Sequence, residues 1–130
     1  MKKAIGGPVV FQDGRRFPLS QAVVSSGLIF VSGQLAMDKS NKIVGETIGE
    51  QTRQVIANIS AILASLGAEL SDVVKTTVWL TDAKDFAAFN EEYAKHFLVE
   101  PPARATVCSP LMLPNCLIEI EAIAAEPQDP

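Results

Sequence analysis

Apolar and polar residues change their spacing several times along this chain, and each change marks an element. Pro8-Val9-Val10-Phe11 is a short apolar run that meets Asp13-Gly14, a hairpin-turn pair, and leads into Arg15-Arg16-Phe17, which predicts a small hairpin. Gln21-Ala22-Val23-Val24 and Leu28-Ile29-Phe30-Val31-Ser32 predict a second hairpin around Ser25-Ser26-Gly27. Residues 38–42 are polar and read as a loop. The period then becomes helical: Ile48, Thr52, Val55, Ile59, Ile62 and Leu66 recur at steps of four and three, ending at Gly67 as C-terminal cap. Thr47 and Glu50 have capping-box spacing, in which hydroxyl and carboxylate each satisfy a free backbone donor of the other residue.

Val73 to Leu80 reads as a strand, and Asp82 or Asp85 can cap a second helix carrying Phe86, Phe89, Tyr93 and Phe97. Pro101-Pro102 ends any helical continuation. Arg104 to Cys108 and Leu117 to Ala124 are the last two strands. The pattern predicts an α+β fold, a mixed sheet with two helices on one face, because successive strand-helix-strand crossovers prefer one hand. The other face would carry Lys75, Thr77, Trp79, Glu119 and Glu121, a mixture too apolar for solvent and too polar for a core. Association of copies, with ligand sites between them, would cover it.

The last strands set charges among apolar residues. In extended chain Ile118, Ile120 and Ala122 share one face, and Leu117, Glu119, Glu121 and Ile123 the other. Arg104 stands among small and apolar residues, where a guanidinium is costly to bury unless it meets a carboxylate. Charge and spacing favour a structural ion pair with Glu119 or Glu121 across the sheet; the competing reading is an anchor for a small anionic substrate.

With 130 residues, 48% of them hydrophobic, and no composition break, the whole of 1–130 reads as one domain with a core of its own. A net charge of -4 argues against broad binding to nucleic acid or anionic membranes, which needs clustered Lys and Arg. The N-terminus is too short in apolar residues for a secretory signal. No stretch approaches the roughly 20 apolar residues of a membrane helix, so a cytoplasmic protein is expected. Cys108 and Cys116 read as free thiols and small hydrophobes. The single His96 reads as a helix-end residue, and neither a zinc ligand set nor a glycine-rich phosphate loop can be assembled. Ser32 lacks a His and Asp constellation and reads as a backbone-bonding residue.

Taken jointly and in order, several segments are specific. They are Ser32-Gly33-Gln34; Gln51 and Asn58 in the long helix; residues 72–78; Asp85-Phe86 with Asn90 and Tyr93; Pro102-Ala103-Arg104; and Leu113-Pro114 leading to residues 118–124. Through them nearly the whole chain resembles the RidA/YjgF family, the reactive-intermediate deaminases also filed under L-PSP endoribonuclease. The resemblance implies a chorismate-mutase-like fold that forms a homotrimer around a central barrel, with three ligand clefts between subunits. It further implies hydrolysis of 2-aminoacrylate-like enamine and imine acids to 2-keto acids and ammonia, without metal or organic cofactor. Arg104 would bind the substrate carboxylate and Glu119 would orient or deprotonate the attacking water; Gly33, Asn90 and Thr106 would complete the cleft. Two departures concern the lining: Leu19 stands where typical deaminating members have tyrosine, and Thr106 where many have cysteine. A larger or more apolar imine acid would suit Leu19. The readings that compete with a general scavenger are a pathway-specific deaminase such as one for 2-aminomuconate, a non-catalytic 2-keto-acid-binding regulatory trimer and, least favoured by the acidic charge, a ribonuclease.

Overall fold

A computed structural model describes residues 1–11 and 13–128; Gln12, in the connection of the first expected hairpin, lies outside them. Six strands form one sheet in the order β1 (Lys3–Ile5), β4 (Ala22–Ser25), β5 (Leu28–Gln34), β8 (Ile118–Ala125), β6 (Val73–Leu80), β7 (Ala103–Cys108). β2 (Val9–Val10) and β3 (Arg16–Phe17) pair as a separate ribbon. β1 is an element the sequence reading lacks, since three residues are too few to show alternation. Leu117, expected within the last strand, precedes it. Two helices complete the fold, α1 (Ile48–Ala64) and α2 (Phe86–Ala94).

The expected α+β class with a mixed sheet is the observed one. β6 and β7 are parallel, and the other neighbouring strands are antiparallel. α1 connects β5 to β6 and α2 connects β6 to β7, two steps in the same direction across the sheet. Crossovers of one hand therefore put both helices on the same face. β8 returns antiparallel into the gap left between β5 and β6.

The core lies between helices and sheet. Ile29, Val31, Val78, Leu80, Ile118, Ile120 and Ala122 meet Val55, Ile56, Ile59 and Leu63 of α1 and Phe89 and Tyr93 of α2. Each large side chain fully buried there stabilises the fold by about 1.5–3 kcal/mol. The predicted α1 stripe forms most of its buried face, with Gln51, Ile56 and Leu63 added to it. Thr47 accepts from the Glu50 amide (3.1 Å) as a cap should, but the Glu50 carboxylate reaches the amide of Glu46 (3.2 Å) rather than that of Thr47. Gly45, at φ +97, turns the chain just before this point. At the other end Gly67, at φ +75, donates to Ala64 (3.1 Å), and Ala68 donates to Leu63 (2.9 Å), a Schellman closure. Asp82, not Asp85, supplies the cap before α2: its carboxylate accepts from Lys84 (2.9 Å) and starts a 3-10 turn over Ala83–Asp85 that runs into the helix.

The face opposite the helices is uncovered within one copy. The register sets Phe30 beside Ile123, Trp79 beside Glu119 and Val107, and Thr77 beside Glu121 and Ala105. Phe30 and Val107 are 41% and 43% exposed, so this face presents apolar area to the outside. Among the described residues no helix is long and apolar enough to cross a membrane, and no group of three or more His, Cys, Asp or Glu could hold a metal ion. Cys108 and Cys116 are free thiols, the first exposed and the second buried.

Candidate functional site

The residues singled out in the sequence fall into two groups on two faces of the sheet. The first lies on β7, an edge strand. Arg104 pairs with Thr76 and Thr106 with Val78, so both side chains stand on the face that packs against α2. The Arg104 guanidinium carbon lies 4.9 Å from the ring centre of Tyr93, 5.1 Å from Phe89 and 5.9 Å from Phe86. Each such contact contributes about 0.5–1 kcal/mol at an exposed site. The platform is itself fixed: the Tyr93 hydroxyl is 2.8 Å from Thr76 Oγ1, and its ring packs on Phe89 and Phe97. Burial pushes the Tyr93 phenol above its usual pKa, while the Thr76 hydrogen bond and the Arg104 charge pull the other way. Asn90, half-buried, follows Phe86 by four residues and shares its helix face.

This placement overturns the expected ion pair across the sheet. β6 separates β7 from β8, which puts their backbones about 10 Å apart, and Arg104 and Glu119 point to opposite faces. Arg104 is exposed, so the expected desolvation does not arise within one copy. Its charge meets aromatic faces instead. The signal for that platform is the stripe Phe86, Phe89, Tyr93 and Phe97, of which Phe89, Tyr93 and Phe97 are buried and Phe86 is 45% exposed.

The second group centres on Glu119. Gln34 pairs with Ile120, and the register slips between Val31 and Gln34, which makes a bulge at Ser32-Gly33. The bulge brings the Gly33 backbone so close to Glu119 that a side-chain carbon at position 33 would collide with the carboxylate oxygen Oε2. The Ser32 hydroxyl donates to the Ser20 carbonyl (2.5 Å) and its amide to the Gln21 carbonyl (2.9 Å). These bonds tie the segment carrying Leu19, itself 43% exposed, to the bulge. Ser32 thus has the backbone-bonding role expected of it. Burial, and after it the charge of Glu121, raises the pKa of Glu119 above the usual glutamate value. A carboxyl group so placed exchanges protons nearer neutrality than an ordinary one.

A third cluster had no sequence signal. Glu92 is buried and accepts from Arg53 (3.0 Å) and Lys95 (3.4 Å), and its other oxygen lies 2.8 Å from His96 Nε2. Burial opposes its ionisation, but the bonds from Arg53, His96 and Lys95 together outweigh burial and hold its pKa at about 2. Arg53 is 39 residues away, a separation no local pattern discloses.

Residues 15–126 match the model of the family described as Endoribonuclease L-PSP. A RutC family protein of Saccharolobus solfataricus is 48% identical over 108 residues, which cover 82% of this chain and 86% of that protein. Reactive Intermediate Deaminase A, chloroplastic, of Arabidopsis thaliana is 44% identical over 108 residues, covering 82% of this chain and 58% of that one. Among solved structures, yeast Mmf1 superposes with a TM-score of 0.85 at 35% identity, covering 98% of this chain and all of the other. A YjgF family member of Neisseria meningitidis does so with a TM-score of 0.82 at 29% identity, covering 99% and 98%.

Proposed function

This chain belongs to the RidA/YjgF family, and from that premise we propose that it hydrolyses enamine and imine acids to 2-keto acids and ammonia in clefts between copies of a homotrimer. The observation that carries this reading is the guanidinium of Arg104, exposed, stacked on three rings and without a carboxylate partner among the described residues. A planar cation held in this way suits a bidentate hydrogen bond to a substrate carboxylate.

Anchoring the carboxylate fixes the adjacent C=N carbon. A water held by Glu119 adds through its oxygen to that carbon, and its proton passes by way of the carboxylate to nitrogen. The hydroxyl proton of the resulting carbinolamine then passes to nitrogen as the C–N bond breaks and the C=O bond forms, releasing ammonia and leaving the 2-keto acid. The raised pKa of Glu119 suits this exchange. Gly33, Thr106, Asn90 and Leu19 line the cleft in this reading. Because Arg104 and Glu119 face opposite sides of their own sheet, a cleft that uses both takes one from each of two neighbouring copies. The uncovered apolar face supports the same association.

The test is the rate of keto-acid and ammonia release from imines generated in situ by an amino-acid oxidase, with Arg104→Ala as control. Acceleration that disappears in the control supports the deaminase. Saturable 2-keto-acid binding without acceleration, across small and large imines, would replace it with a binding protein.

A further inference from the structure

Gln51 is buried in α1, yet both polar atoms of its side chain bond to loops, one just before the helix and one just before β8. It is 1% exposed. Its Nε2 donates to the carbonyl of Gly45 (3.0 Å) and to that of Asn115 (2.9 Å), while its Oε1 accepts from the amide of Leu117 (2.9 Å). Gly45 belongs to the arrangement: a side-chain carbon there would come within 3.2 Å of Gln51 Cγ. The amide group therefore grips the chain on both sides of Cys116, two to four residues before Glu119. One and two turns further along α1, Gln54 and Asn58 do the same for the chain just after Gly33. Asn58 Nδ2 donates to the carbonyls of Leu35 (3.1 Å) and Met37 (3.0 Å), and Asn58 Oδ1 accepts from Gln54 (2.8 Å).

α1 thus holds the outgoing end of β5 and the incoming end of β8 by side-chain amides, and these are the ends where the bulge lets Glu119 lie against Gly33. We propose that Gln51 is a positioning residue for Glu119: by clamping Asn115 and Leu117 to α1 it fixes where β8 begins, and so which residue of β8 faces the bulge at Gly33. Side chains alternate along a strand, so a slip of one residue would exchange Glu119 for Ile118 or Ile120 at that point. Burial of Ile118, Ile120, Ala122 and Ala124 opposes such a slip along the strand as a whole. Directional bonds from the buried Gln51 amide add to this at the first residues of the strand, because leaving that amide unsatisfied is costly.

The inference rests on Glu119 as the water-holding carboxylate, but its test has a readout that does not. The variants are Gln51→Met, which keeps the length and removes all three bonds, and Gln51→Asn, which keeps the amide but is too short to span both loops. The Glu119 carboxyl is followed by 13C NMR titration in each variant and in the wild type, beside kcat and KM for in situ imines. The expected result is a Glu119 titration displaced toward the ordinary glutamate range and kcat reduced at least tenfold, with KM within about threefold because Arg104 is untouched. If Gln51→Met does not fold, Gln51→Asn carries the same readouts. A folded variant whose Glu119 titrates as in the wild type, with kcat unchanged, overturns the proposal and leaves Gln51 a packing residue. A wild type inactive on every imine would refute the deaminase reading, while the titration would still decide on Gln51.

Discussion

The carboxylate of Glu119 lies against the backbone of Gly33, in the volume that the first side-chain carbon of any other residue would occupy. The obstructing atom is the end of a rotatable side chain, so Gly33→Ala should displace the carboxylate rather than the strand. We expect thermal unfolding of Gly33→Ala within a few degrees of the wild type and kcat for imine hydrolysis lower by about 10²-fold, the scale of a misplaced reacting group. Undiminished kcat in the folded variant would show that the contact has no part in the chemistry.

Arg104→Lys keeps the charge and loses both the planar fork and the stacking on Phe86, Phe89 and Tyr93. The loss should amount to about 2–3 kcal/mol of transition-state binding, on the order of 10²-fold in kcat/KM. Steady-state kinetics on in situ imines, with calorimetric 2-keto-acid binding beside them, will measure it. Near-normal turnover by this variant would refute the anchoring role.

The shared cleft has a direct test by complementation. Arg104→Ala and Glu119→Gln, each inactive alone, are unfolded together in equal amounts and refolded. If each cleft takes Arg104 from one copy and Glu119 from its neighbour, about a quarter of the clefts in random mixed trimers hold both groups, and activity returns in that proportion. If one copy supplied both groups, no mixture would recover any. Phe30→Asp, which puts a charge on the uncovered apolar face, should in addition shift sedimentation toward monomer and abolish turnover.

The pH dependence of turnover follows from Glu119. Its pKa lies above the ordinary value of 4.5, and the proposed mechanism uses it as a carboxylate in the water-activating step. The kcat profile should therefore fall on the acid side with a limb above 4.5. Glu121→Gln removes a neighbouring negative charge and should move that limb down, toward 4.5; Glu119→Gln should remove it along with most of the activity. A limb that ignores Glu121 would assign the titration to another group.

Glu92 controls acid stability, with the opposite sign of shift. Its pKa falls from 4.5 to about 2 on folding, so its contribution is present above 4.5 and is lost as pH falls through about 2. Glu92→Gln should lower stability at pH 7 by about 1–3 kcal/mol, as expected for charge-assisted bonds at a buried carboxylate. Denaturant unfolding at pH 7 and at pH 3 should show the gap to the wild type narrowing at the lower pH. A constant gap would mean that the residue acts by packing alone.

The core and the uncovered face were legible because alternation and helical spacing are properties of the local chain. Val73 to Leu80 was delimited to the residue, and Gly67 closes α1 as its position suggested. Arg104 and Glu119 stood out because charge inside an apolar strand demands a reason. Whether they pair was not legible from charge and spacing, since strand order decides which residues are neighbours and no local pattern contains it. The aromatic stripe of α2 was visible, but its service as a platform for Arg104 depends on β7 being placed beside β6.

The sequence by itself determined the α+β pattern, the two faces of the last strand and the residue types available for chemistry, because these follow from the spacing of side chains along a helix or strand. Only the tertiary structure decided that Arg104 and Glu119 lie on opposite faces, that Glu92 gathers Arg53, Lys95 and His96, and that Gln51 ties Gly45 to Asn115 and Leu117. Apart from Lys95 and His96 beside Glu92, and Gly45 six residues before Gln51, the partners in those relations lie far apart in the chain, and packing brought them together.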